Sequence, residues 1–262
     1  MSEQPKPAFG VGSFCWNELY TTDLKKASEF YEKVLGWKFD AHEEMGGYNM
    51  IMVGDKSVGG AMDISAPEFG GMPSCWGYYI DVENCDDTVE RAKGLGAEVL
   101  REPGDVPEVG RFAALKDPTG AFFNVIALKQ HSTEHPEPAP GQFLWVELMS
   151  RDFDKSTAFY SELIGWKAQE MPMPDGAYTL FQTANGNAGG GMPMPKDVPA
   201  EVPDNWTGYI HVTDIDKSCK DVEAAGGHVI FPPMEVPEVG RFSHISDPTG
   251  AVVAIMQPAP MG

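Results

Sequence analysis

Phe14–Trp37 reads FCWNELYTTDLKKASEFYEKVLGW. Phe143–Trp166 reads FLWVELMSRDFDKSTAFYSELIGW, the same text offset by 129 residues and identical at 10 of 24 positions. The agreements fall into two groups. Trp16/Trp145, Glu18/Glu147 and Leu19/Leu148 lie where residues alternate as in a strand. Asp23/Asp152, Phe30-Tyr31/Phe159-Tyr160 and Gly36-Trp37/Gly165-Trp166 lie where the spacing is helical. On the strand, Leu144, Val146 and Leu148 share an apolar face while Trp145 and Glu147 point the other way. A strand covered by a helix on one side and facing a groove on the other has this pattern. Asp23 and Asp152 stand at N-cap positions, the stripe Leu24, Ala27, Phe30, Tyr31, Val34 and Leu35 follows, and Gly36 and Gly165 supply left-handed stops.

A second block confirms the repeat. Val106–Ala121, VPEVGRFAALKDPTGA, returns as Val236–Ala251, VPEVGRFSHISDPTGA, identical at 12 of 16 positions. This period is too long for a solenoid unit and indicates tandem duplication of a whole domain. The expected organisation is a module at 10–129, a linker at 130–139 and a second module at 140–257, each large enough for its own core. After the first helix, Trp37–Glu43, Tyr48–Val53 and Val58–Ile64 read as strands, with Gly54-Asp55 and, in the copy, Asn185-Gly186 as hairpin turns. The order then restarts with strand Trp76–Val82, helix Cys85–Leu95 ended by Gly96, and strands Ala97–Leu100, Arg111–Lys116 and Ala121–Leu128. Each module is thus βαβββ twice, and the fold class is α+β. The glycines at 189–191 suggest close backbone approach or a bulge. Asp-Pro-Thr-Gly at 117–120 and 247–250 fits a type I turn. The copied VPEVGRF reads either as a binding loop or as a Pro/Gly backbone path that both modules need.

Composition excludes some partners. With 19 basic and 39 acidic side chains the net charge is −20, which repels phosphate backbones and anionic lipid and favours cationic or neutral ligands. No apolar run is long enough to span a bilayer and the polar, proline-bearing start is unlike a signal peptide, so no membrane and a cytoplasmic location are expected. Cys15, Cys75, Cys85 and Cys219 show no CxxC pairing and are expected to be reduced structural thiols. The linker spells His131-x-x-Glu134-His135, an inverted zinc-protease motif that works only on a helix. Pro136, Pro138 and Pro140 argue against that helix.

The doubled βαβββ unit, with strand–Asp–FY–GW at its start and DPTG before its last strand, resembles the glyoxalase/bleomycin-resistance/extradiol-dioxygenase (vicinal oxygen chelate) superfamily over nearly the whole chain. It is similar to tandem members with two modules fused as an intramolecular pseudo-dimer. The resemblance implies an eight-stranded U-shaped sheet per module with helices outside. In metal-dependent members His and Glu ligands line the groove. Here the strand-one ligand position is Trp16 and Trp145, and the strand-five position is Gly77 and Thr207. The last-strand position is Asn124 and Ala254, and the strand-four position falls near Met62 and Met192. The standard metal site is therefore missing from both modules.

An indole beside a carboxylate suits a cationic or aromatic ligand. Trp16, Glu18, Trp145 and Glu147 are the main ligand-binding candidates, joined by Tyr79, Asn124, Tyr209 and His211. Glu18 and Glu147 are also candidate general bases. The structural alternative pairs each Glu with Arg111 or Arg241, or with backbone. A displaced metal site at Glu147, His211 and His244 is a further alternative; His42 and His228 carry no signal. No nucleophile elbow, phosphate loop or dinucleotide fingerprint is present. The expectation is a small-molecule-binding protein needing no cofactor. The competing class is a lyase, isomerase or dioxygenase using a relocated metal or a Glu base.

Overall fold

Each repeat opens on a strand that leads into a capped helix, as its sequence requires. The computed structural model describes residues 10–42, 47–132, 138–173 and 176–260. In the first repeat β1 (Phe14–Thr21) leads into α1 (Leu24–Leu35), whose first turn is closed by the Asp23 carboxylate accepting from Lys26 N at 3.0 Å. Gly36, at φ 69°, ends it in the left-handed conformation. Next come β2 (Lys38–His42), β3 (Tyr48–Val53) and β4 (Lys56–Asp63), then β5 (Cys75–Asp81), α2 (Cys85–Gly94), β6 (Glu98–Val106), β7 (Gly110–Lys116) and β8 (Phe122–Leu128). The second repeat gives β9 (Phe143–Ser150), α3 (Phe153–Ile164), β10 (Lys167–Met173), β11 (Gly176–Thr183), β12 (Gly186–Pro193), β13 (Asn205–His211), α4 (Ile215–Ala224), β14 (His228–Val229), β15 (Met234–Val236), β16 (Gly240–Ser246) and β17 (Val252–Pro258). The class is α+β, with four helices and two mixed sheets, of eight and nine strands, among the described residues.

The departures from expectation lie at one edge. The strand expected at Ala97–Leu100 runs on to Val106, because Arg101–Val106 keeps pairing with β7 through two register shifts around Arg101. In the second repeat Pro232-Pro233 lacks the N–H groups that such pairing needs. The strand is broken there into β14 and β15.

The compact units are not the sequence repeats. One comprises Met1–Cys15, Tyr78–Pro136 and Trp145–Thr207; the other comprises Trp16–Gly77, Glu137–Leu144 and Gly208–Gly262. Each is therefore assembled from half of either repeat, and each has the same aromatic core. In the second unit Trp76 Nε1 donates to Tyr31 OH at 2.9 Å, Trp37 Nε1 donates to Gly141 O at 2.8 Å, and Phe143 packs against both indoles. In the first unit Trp206 donates to Tyr160, Trp166 donates to Gly12 O, and Phe14 packs on both indoles. The duplicated turn also joins this scheme. Asp117 Oδ1 accepts from the backbone N of Thr119, Gly120 and Ala121, and the Thr119 hydroxyl meets Ser156 of α3 at 2.9 Å. Thr249 of the other copy donates to Asp247 and meets Thr21 at 3.2 Å.

All four cysteines are free, and burial pushes the Cys75 thiol up to about 12 and Cys85 up to about 11. No helix among the described residues is long and apolar enough to cross a membrane.

Candidate functional site

Trp16 and Glu18 are two apart on β1 and share a face. The parallel neighbour β4 sets Gly60 beside Glu18, and β3 lies beyond β4. Tyr48, at the start of β3, crosses β4 to reach β1. Its hydroxyl accepts from Trp16 Nε1 at 3.1 Å and donates to Glu18 Oε2 at 3.3 Å. Gly60 makes the crossing possible, since a Cβ there would overlap the Tyr48 hydroxyl.

The other unit repeats the arrangement. Gly190 of β12 stands beside Glu147, Trp145 Nε1 donates to Tyr178 OH at 2.7 Å, and that hydroxyl is hydrogen-bonded to Glu147. A Cβ at Gly190 would overlap the Tyr178 hydroxyl. The flanking glycines answer the close-approach expectation, because a Cβ at Gly189 or Gly191 would press on the Val146 or Leu148 carbonyl.

Both carboxylates are inside the protein, at 4% exposure for Glu18 and 9% for Glu147. Burial, reinforced by the neighbouring carboxylate, pushes each tyrosine phenol above its ordinary range. Tyr48 and Tyr178 therefore stay protonated at neutral pH, each with a hydroxyl proton available to its Glu.

Sequence reasoning found the Trp and Glu of each relay and missed the Tyr between them. The signal was present: Tyr48/Tyr178 and Gly60/Gly190 recur at the same offset. The expected arginine partners are corrected. Arg111 binds Asp86 at 2.6 Å and Asp105 at 2.9 Å, and Arg241 binds Asp216 at 2.7 Å. These arginines tie the copied hairpin to the start of α2 or α4, and Asp86 and Asp216 are held below the usual carboxylate range by them. The VPEVGRF segment is that hairpin. Glu108 and Glu238 take φ of 62° and 65°, and Gly110 and Gly240 lie so close to the Ala127 and Gln257 carbonyls that no side chain fits.

The remaining candidates separate. Tyr79 stands in register with Asn124 on β5 and β8, and Asn124 is fully buried with neither amide atom hydrogen-bonded. Tyr209 stands in register with Ala254 and lies edge-on to His244, with ring centroids 5.9 Å apart. His211 is drawn to the linker instead, with Nδ1 3.2 Å from the Pro138 carbonyl. At its counterpart, Asp81 accepts from His131 at 2.8 Å. His131 thus serves a carboxylate, while Glu134 and His135 lie outside the described residues.

The metal positions implied by resemblance do not fit an ion. An indole offers an N–H and no lone pair, and both indoles donate to tyrosine. Gly77 and Ala254 have no donor side chain, and the Thr207 hydroxyl donates to Asn205. No group of three or more His, Cys, Asp or Glu side chains is gathered for a metal among the described residues. The alternative set Glu147, His211 and His244 is corrected accordingly: His211 serves the linker, and His244 is ringed by aromatic side chains.

Comparison with known proteins gives concordant results. The family model described as Glyoxalase/Bleomycin resistance protein/Dioxygenase superfamily matches residues 13–125 and 142–255. The chain is 34% identical over 253 residues to "Putative glyoxylase CFP32" of Mycobacterium bovis, covering 94% of each protein. It is 25% identical over 262 residues to the anthracycline biosynthesis protein DnrV of Streptomyces peucetius, covering 95% of this chain and 94% of that one. Among solved structures it is similar to the Mn(II)-bound glyoxalase from Novosphingobium aromaticivorans, with TM-score 0.64, 14% identity and coverage of 95% and 83%. It also resembles the 2,3-dioxygenase LapB from Pseudomonas sp. KL28, with TM-score 0.62, 14% identity and coverage of 97% and 94%. Those two likenesses concern the fold.

Proposed function

The chain belongs to the Glyoxalase/Bleomycin resistance protein/Dioxygenase superfamily, and on that premise we propose that each repeat binds a small cationic or aromatic molecule at its Trp–Tyr–Glu relay without a metal ion. One observation carries the reading: the same three side chains, bonded in the same order, are built in both repeats across a glycine that serves their meeting. A buried carboxylate in an acidic protein attracts a cation, and a half-buried indole beside it offers a ring face for stacking. The tyrosine satisfies part of the carboxylate and fixes its orientation.

A second reading is catalytic. The phenol is hydrogen-bonded to the carboxylate, so Glu18 or Glu147 acting as a general base would be held in place by that donor while it takes a proton from the substrate. The glyoxylase name of the mycobacterial relative supports this reading.

Elemental analysis of protein made without a histidine tag tests the metal-free claim. Near-stoichiometric Ni, Zn, Mn or Fe retained after dialysis would overturn it. A thermal-shift screen of aromatic amines and quaternary ammonium compounds tests the ligand class. Trp145→Ala and Glu147→Gln should abolish the shift; if affinity survives while stability falls, the relay is structural. Turnover lost in Glu147→Gln with binding retained would select the catalytic reading.

A further inference from the structure

The two units diverge in a concerted way at one cleft. In the second unit a cleft of about 700 Å³ opens between α1, the end of α4 and the turn that follows β16. From α1 it is lined by Lys26, Phe30 and Lys33, which follow at helical spacing and so share a face. Ala225, His228 and Ser246 line it from the other elements. Phe30 is buried and seated on Gly227, where a Cβ would come within 2.6 Å of both the Phe30 ring and the Ser246 carbonyl. Lys26, Lys33 and His228 are exposed, so the mouth is open to solvent.

The first unit supplies the comparison. His228 faces Ser246 across the β14–β16 ladder, and at the same rung of the first unit Glu98 faces Lys116. Ala225, the C-cap of α4, stands where α2 ends on Leu95, and Gly227 stands for Ala97. Lys33 of α1 stands for Glu162 of α3. Three side chains are thus smaller here, and two acids of the first unit have become a lysine and a histidine. Among the described residues Lys26, Lys33 and His228 have no ion pair or side-chain hydrogen bond, whereas Lys155, the counterpart of Lys26, donates to the Pro118 carbonyl at 3.1 Å. The acids in the lining are engaged elsewhere. Glu29 lies 4.0 Å from Lys25, and the buried Asp247 accepts through Oδ1 from the backbone N of Thr249 and Ala251. The net charge of −20 does not decide the matter, because at physiological ionic strength a charge is screened within about 8 Å. The unpaired groups of the cleft therefore act more strongly there than distant acids do.

Lys26 and Lys33 lie two turns apart, about 10 Å along the axis of α1, so a molecule lying along the cleft meets one ammonium at each end. We propose that this cleft binds a small hydrophilic molecule with an anionic group at either end, a bisphosphate or a dicarboxylate. Lys26 and Lys33 hold the ends, and His228 and Ser246 donate hydrogen bonds to its polar middle. No residue of the Trp–Tyr–Glu relays lines the cleft, so either reading can fail without the other.

Isothermal titration calorimetry of the full chain at about 0.1 M salt tests it. The two-ended probes are fructose 1,6-bisphosphate and suberate, with inorganic phosphate and acetate as their one-ended counterparts. At least one two-ended probe should bind saturably, about tenfold more tightly than its counterpart, and which one binds distinguishes phosphate from carboxylate. Lys33→Glu, an exposed change that imports the residue of the first unit, should weaken that probe about tenfold. Ala225→Leu imports the larger side chain of the first unit without changing charge and should weaken it as much. Lys196→Glu, an exposed change outside the cleft, should leave affinity unaltered. Failure of both two-ended probes to bind, equal affinity for the one-ended counterpart, full affinity in Lys33→Glu, or an equal loss in Lys196→Glu would each overturn the proposal.

Discussion

Tyr178→Phe isolates the relay, because it keeps the ring and deletes only the hydroxyl. Two bonds go: the 2.7 Å bond from Trp145 Nε1 and the bond to Glu147. Glu147 is 9% exposed, so losing a donor leaves a buried carboxylate short of a partner, at a cost of about 1–3 kcal/mol. Trp145 is half-buried and its N–H recovers part of its bond from water, which adds about 0.5–1 kcal/mol. The sum is about 1.5–4 kcal/mol. The equivalent bonds of Tyr48 are longer, 3.1 and 3.3 Å, so Tyr48→Phe should cost less, about 1–2 kcal/mol. Urea unfolding followed by tryptophan fluorescence measures both. Combining Tyr178→Phe with Glu147→Met supplies the decisive comparison, because the pair then leaves no buried carboxylate missing the phenol. The double variant should be more stable than the sum of the single losses by about 1–2 kcal/mol. Additive losses, or a cost for Tyr178→Phe below about 0.5 kcal/mol, would refute the coupling of phenol and carboxylate.

Gly60→Ala and Gly190→Ala should displace Tyr48 and Tyr178 and weaken ligand binding in the same thermal-shift screen as Trp145→Ala and Glu147→Gln; unchanged binding would mean the crossing is incidental. Acidification should destabilise the protein through His244. Its folded pKa of about 4, lowered by burial, lies below the ordinary imidazole value of 6.5, so its contribution is intact above pH 6.5 and is lost as pH falls toward 4, to about 3 kcal/mol in all. His244→Ala should remove that part of the acid sensitivity in urea midpoints measured from pH 7 to pH 4.

What could be read from the sequence depended on whether the physics was local. Asp23, Gly36 and the stripe between them specify α1 by themselves, because caps and helical periodicity act within one element. The duplicated Trp16/Trp145 and Glu18/Glu147 were visible as a shared strand face. Their tyrosine was not, since it arrives from two strands away and only the glycine over which it passes marks the route. Charge patterning misled at Arg111: a lone arginine after a copied turn invites a distant carboxylate, yet Asp105 on the paired strand and Asp86 at the nearby helix start compete at shorter reach. The orphan side chains at Asn124 and His244 lay beyond sequence reasoning altogether. Whether a buried polar group has a partner is a property of everything packed around it.

The residues kept identical between the copies explain why the chain is doubled. Phe143 packs on Trp37 and Trp76, and Phe14 packs on Trp166 and Trp206. Gly12 and Gly141 each accept from the indole of the opposite copy, and each DPTG turn meets a hydroxyl of the other repeat. A single repeat made alone, 140–257 for instance, has no Phe14 for Trp166 and Trp206 and no Gly12 carbonyl for the Trp166 indole. It does carry Phe143 and Gly141, the counterparts that a second copy of itself would present. Exposing the aromatic face of such a core costs several kcal/mol, on the order of the whole stability of a domain this size. The isolated repeat should therefore fold as a homodimer whose melting temperature rises with concentration, measured by light scattering and thermal unfolding across a dilution series. A monomer that unfolds cooperatively at a concentration-independent temperature would show that one repeat closes its own core without the aromatic residues of the other copy.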